Sequence, residues 1–231
     1  AGGSNPGLVA YTQNAAKGGT RTGSTTHNSL TMANGLLVPV RLSCEHQGYA
    51  QLEVAALATC DDGTTDPLVK AESVALPAAV TDNERFTLGP MKVGNVDIAA
   101  HCRSIDITFG IQAQALAACS DVYPSFSRIV SILPVINFRG INPDWLSSGV
   151  VPAGGLACTQ TNSYIYLRKL AAGGTFASGS SHIKIAFAGM ANASGFDSSG
   201  NQEGEISLSV PCVWDGTNVP VTAASGQALP S

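Results

Sequence analysis

The stretch Leu42–Pro77, LSCEHQGYAQLEVAALATCDDGTTDPLVKAESVALP, is answered further along by Ala100–Pro134, AHCRSIDITFGIQAQALAACSDVYPSFSRIVSILP. Cys44 corresponds to Cys102 at a distance of 58 residues, Cys60 to Cys119 at 59 and Pro77 to Pro134 at 57. Between the cysteines, QLEVAALATC and GIQAQALAAC share one texture: alternating apolar residues, then Ala-Leu-Ala, a cysteine and an acidic turn. Alternation of this kind is the period of a half-buried strand. Each copy therefore reads as two strands, and a weaker third copy starts at Cys158. A duplicated strand-rich unit explains the spacing; chance likeness among Ala/Val-rich strands is the competing explanation. If the copies are real, Leu52, Val54, Ile107 and Phe109 point inward, and both prolines sit where a strand leaves its sheet.

Working outward, further strand signals recur at short intervals. Leu8–Tyr11 is a short apolar patch. Gly35–Leu42 is apolar and β-branched, with Pro39 marking an edge or a bulge. Val69–Val80, Arg85–Pro90, Val96–Ala99, Ser104–Ala118 and Arg128–Phe138 follow, the last apolar enough for burial on both faces. Ser163–Leu170, His182–Ala188, Glu205–Val210 and Val219–Thr222 complete the set. Asn142-Pro143 predicts a turn or a single helical turn. No segment keeps a helical period over three turns, and Gln112–Cys119 is the one Ala-rich piece that competes for helix. The expected fold is all-β, a β-sandwich or jelly-roll-like domain of roughly ten short strands. It spans residues 36–231, with an internal repeat of about 58 residues and an extended polar arm over 1–35.

Composition narrows the function classes. Charged residues are 12 % of the chain, about half the usual share. That suits surfaces that end against neighbours, and equally a neutral soluble surface. The net charge of −4, with Lys17 and Arg21 the only bases before Arg41, argues against direct nucleic-acid binding, which needs clustered cations. No run of 18 apolar residues predicts a membrane-spanning helix. The opening Ala-Gly-Gly-Ser fits both a processed end and a start after loss of the initiator Met.

Six cysteines allow fifteen pairings. Matched loop lengths favour Cys44–Cys60 and Cys102–Cys119, leaving Cys158 with Cys212. Bridges would place the protein outside a reducing cytosol, in a virion or extracellular; buried free thiols are the other reading. No Cys-x-x-Cys, nucleophile elbow, phosphate loop or His-Glu-x-x-His occurs. His27, His46, His101 and His182 are isolated, and Glu53, Asp106 and Glu205 show no pairing. The loops Asp61–Asp66 and Asp197–Glu203 carry oxygen side chains, but the second has Gln202 where a calcium loop needs glycine. Asn192-Ala193-Ser194 is a formal sequon. Trp145 and Trp214, beside turns, fit core caps or interface anchors as well as sugar platforms. No catalytic residue, cofactor or metal is expected.

The function expected is a non-enzymatic structural subunit of a self-assembling particle, a capsid, decoration or tail protein of a DNA virus or phage. Its partners are copies of itself and other structural proteins of the assembly. The arm would act through Leu8, Val9, Ala10 and Tyr11 by adding a strand to a neighbour's sheet. A secreted fibre or pilus subunit joined by strand donation is the second expectation, and a carbohydrate-binding β-sandwich the third.

Overall fold

In a computed structural model, residues 7–13, 27–75, 84–100, 102–141, 151–152, 154–171, 174–197, 205–214, 216–217 and 219–230 are described. The fold is all-β, as the sequence pattern requires, with seventeen strands among the described residues. In chain order these are β1 (Leu8–Gln13), β2 (His27–Met32), β3 (Asn34–Glu45), β4 (Gln51–Thr59), β5 (Leu68–Val74) and β6 (Arg85–Val93). Next come β7 (Val96–Asp97), β8 (Ser104–Thr108), β9 (Ile111–Leu116), β10 (Phe126–Ile132), β11 (Val135–Ile141) and β12 (Leu156–Cys158). The last five are β13 (Tyr164–Leu170), β14 (His182–Phe187), β15 (Gly189–Asp197), β16 (Glu205–Pro211) and β17 (Val221–Gln227). These strands pair as β1-β2-β5, β10-β9, β12-β15-β16-β11-β8-β3-β4, and β17-β14-β13-β6-β7. No helix among the described residues is long and apolar enough to cross a membrane.

The chain separates into two compact units that interleave in sequence. One comprises residues 1–38, 54–83 and 111–131; the other comprises 39–53, 84–110 and 132–231. One border falls inside β3, next to Pro39. Pairing of β3 with β8 begins at Arg41↔Thr108, and the amide of Phe109 reaches the carbonyl of Val40. Pro39, with no N–H to give, stands just outside that ladder.

The second unit is a sandwich. Strict alternation puts Leu42 and Cys44, Ile105 and Ile107, Ile136 and Phe138, and Ile206, Leu208 and Val210 on the inner face of the seven-stranded sheet. Leu88, Met91, Val93, Ile165, Leu167, Ile185 and Phe187 answer from the five-stranded sheet, in one continuous core. Phe138 and Phe187 meet across it with ring centroids 5.9 Å apart, tilted at 42°. Tilted aromatic pairs at this range are favourable beyond the area they bury.

The first unit is built differently. Of the buried apolar side chains among the described residues, only Met32, Val38 and Cys60 belong to it. Its sheet β1-β2-β5 is antiparallel throughout, with Leu8↔Met32 and Gln13↔His27 bounding one ladder and Met32↔Leu68 opening the other.

Several expectations from sequence are corrected. Ser104–Ala118 is two strands, not one. Gly110, at φ 58°, ends the alternation after Phe109, because a left-handed residue cannot continue a strand. Arg128–Phe138 likewise divides at Leu133-Pro134, and neither part is buried on both faces: β11 buries Ile136 and Phe138 but exposes Arg139, while Phe126, Ile129, Val130 and Ile132 of β10 are exposed. The repeat does not yield equivalent hairpins. β4 pairs with β3, its counterpart β9 pairs with β10, and β8 lies between β3 and β11. Leu52 and Val54 are exposed at 58 % and 47 %, against the inward face expected, while Ile107 is fully buried and Phe109 half-buried against the core. Pro77 lies outside the described residues.

Candidate functional site

The arm residues Leu8, Val9, Ala10 and Tyr11 form most of β1, which pairs with β2 of its own chain. All four are exposed. Among the described residues β1 is an edge strand, and so is β5 on the other side of the same sheet. Unpaired backbone groups along such edges are templates for another chain. The first unit also exposes Leu30, Val69, Phe126, Ile129 and Val130, each at 44–55 %. Among the described residues the β9–β10 pair forms a sheet of two strands, which is marginal in water unless something packs on it. The rest of the arm, 1–6 and 14–26, lies outside the described residues.

All six cysteines are free thiols. The expected pairs Cys44–Cys60, Cys102–Cys119 and Cys158–Cys212 are not formed. Cys44 and Cys102 belong to the sandwich core, whereas Cys60 and Cys119 belong to the other unit. Cys158 and Cys212 pair with Gly189 from its two sides. They are thus two strands apart, about 9.6 Å at ~4.8 Å per strand, beyond the reach of a disulfide. Burial pushes the thiol of Cys44 up to about 11, and those of Cys102 and Cys212 up to about 12. They behave as small core hydrophobes. Cys119 alone is exposed.

Among the described residues no cluster of His, Cys, Asp and Glu could hold a metal ion. In the loop Asp61–Asp66, Asp62 caps its own turn: its carboxylate accepts from the amides of Thr64 and Thr65 and from the Thr65 hydroxyl. Those bonds hold its pKa well below the usual range. Asp197 closes β15, and 198–203 lie outside the described residues, as do His101 and Trp145. His182 is buried and its Nδ1 accepts from the Lys169 amide at 3.1 Å, a structural bond. His27 is buried in β2, and its Nδ1 has no partner among the described residues. Trp214 is 64 % exposed. Asn192 of the sequon lies in β15, its amide donating to the Met190 carbonyl at 3.2 Å.

The outer face of the seven-stranded sheet carries a feature that sequence reading missed. A cleft of about 290 Å³ opens between β3, β8, β11 and the turn after β3, lined by Arg41, Glu45, Tyr49, Gln51, Asp106 and Arg139 among others. Asp106 accepts from Arg41 Nε at 2.7 Å and pairs with its guanidinium. Tyr49 stands in the wall, 53 % exposed, with the Arg85 guanidinium 5.3 Å from its ring centre on one face. The turn is tied down by the amide of His46 on the Arg103 carbonyl at 2.6 Å. It contains Gln47 at φ 63°, a conformation uncommon for a non-glycine residue.

Compared with known proteins, the chain matches no protein-family model and no curated protein. Its functional reading therefore rests on these surfaces. Two kinds are present: open edges and apolar faces in the first unit, and a polar cleft in the second.

Proposed function

We propose that this chain is a non-enzymatic structural subunit of a self-assembling particle, of the kind built into a virion as a capsid, decoration or tail protein. One observation carries the reading. The first unit has strands and apolar side chains but almost no interior of its own, since Met32, Val38 and Cys60 are its only buried apolar residues among those described. Apolar surface left in water on β1, β2, β5 and β10 gains about 25 cal/mol for each Å² covered, and contiguous exposed apolar surface is a mark of association. The low share of charge, 12 %, removes the repulsion and desolvation that oppose copy-on-copy packing. The partners that fit best are further copies, because among the described residues β1 and β5 are the two edges of their sheet and suit antiparallel addition.

Negative-stain electron microscopy of the concentrated protein tests the reading. Closed particles or rings support a capsid-like subunit. Filaments support the second expectation, a secreted fibre joined by strand addition. A field of isolated monomers overturns both.

A further inference from the structure

We propose that the cleft on the outer face of the seven-stranded sheet, with the polar row that leads from it, binds a neutral oligosaccharide. Four neighbouring strand pairs bring small polar residues into one line: Ser43 opposite Asp106, Asp106 opposite Asn137, Asn137 opposite Ser209, and Ser209 opposite Asn192. Directly opposed residues share a face, and the residues alternating with Ser43, Asp106, Asn137 and Ser209 are buried in the core, so this row faces outward. Five residues across four strand intervals of ~4.8 Å make a track of about 19 Å. That length suits a short chain of sugars better than a single one.

Charge selects the ligand class. At the cleft, Arg41 and Arg139 balance Glu45 and Asp106, so neither an anion nor a cation is favoured. What remains is a dense set of donors and acceptors on a rigid sheet. Arg139, Gln51 and Glu45 make no side-chain bond to another described residue and are open to hydroxyl groups. Fixed polar groups beside an aromatic wall are how a small-molecule site sets orientation. Tyr49 supplies the wall: it is 53 % exposed beside Arg85, and an exposed aromatic ring suits the C–H face of a sugar. Gln47, held at φ 63° in the turn beside it, is the kind of backbone outlier that gathers at ligand sites.

Saturation-transfer NMR and calorimetry with the full chain test this, using cellotetraose, maltotetraose and N-acetylchitotetraose as neutral probes. Glucose, 3′-sialyllactose and a heparin tetrasaccharide serve as comparisons. At least one neutral tetrasaccharide should bind, more tightly than glucose. Tyr49→Ala should weaken it by about tenfold or more, and Asn137→Ala, on the row, should weaken the tetrasaccharide while leaving glucose unchanged. Both sites are on the surface, and unaltered thermal melts confirm folding. The proposal is overturned if no neutral probe binds at millimolar concentration, or if only the charged probes bind. It is equally overturned if binding survives Tyr49→Ala and is lost in Trp214→Ala. Particle formation is independent of each of these results.

Discussion

Cys60 donates its backbone amide to the carbonyl of Pro124 at 2.8 Å, and its thiol lies 3.4 Å from the same oxygen. The turn after β4 is thereby docked on the turn after β9. These are the two segments whose sequences match most closely. They do not repeat one structure in two places; they hold each other. Val122 and Tyr123 both donate to the Gly63 carbonyl, and Asp121 accepts from the Ala118 amide and the Ser125 hydroxyl.

Gly63 should be the most sensitive position in that junction. Its φ is 67°, and a methyl group there would collide with the Asp121 carboxylate. Gly63→Ala should destabilise the protein by more than about 1 kcal/mol, since both strain and collision act. A urea titration monitored by circular dichroism measures it.

The same junction should respond to acid. Hydrogen bonds from Ser125 and Ala118 hold the Asp121 pKa below its ordinary 3.8, and Thr65 and Thr64 do the same for Asp62. A carboxylate whose pKa is lowered by folding contributes stability that is complete above the unfolded value. It is lost as pH falls through the folded one. Thermal stability should therefore begin to fall as pH drops below about 4, and Asp121→Asn should flatten part of that decline.

Thiol chemistry should divide the cysteines sharply. A thiol reacts as the thiolate, and burial withholds both access and ionisation. At pH 8, Ellman's reagent should titrate Cys119 in the native protein and all six thiols only after unfolding. Rapid native modification of Cys44, Cys102 or Cys212 would contradict the burial that raises them.

Phe138 should matter far more than Phe109. Phe138 is fully buried against Phe187, so Phe138→Ala should cost about 3–5 kcal/mol. Phe109, only half-buried just past β8, should cost clearly less. Chemical denaturation of the two variants side by side decides the order.

How far the sequence could be read depends on what each strand shows to a neighbour. β8, β13, β14 and β16 were legible because Ile, Leu, Val and Phe recur in a core that needs one face, whereas β11 was merged with β10 because Arg128–Phe138 is nearly all apolar. β2, HNSLTM, and β15, GMANASGFD, carry few large apolar residues, so period-2 alternation is nearly invisible in them. β4 showed the alternation without the burial: Leu52 and Val54 sit in the pattern and yet remain in solvent. Periodicity reports that one face is apolar, not what covers it. The cleft was beyond reading, because Arg41 and Asp106 stand 65 residues apart and meet only through the β3–β8 register.

Sedimentation velocity measures association through the first unit. The native chain and a Val69→Lys, Val130→Lys double variant would be run over a hundredfold range of concentration. Both valines are at least half exposed, so the variant should keep its thermal melt. The native chain should show species heavier than the monomer that grow with concentration, and the variant a single monomeric boundary. A native chain that sediments as a monomer at every concentration would contradict that association.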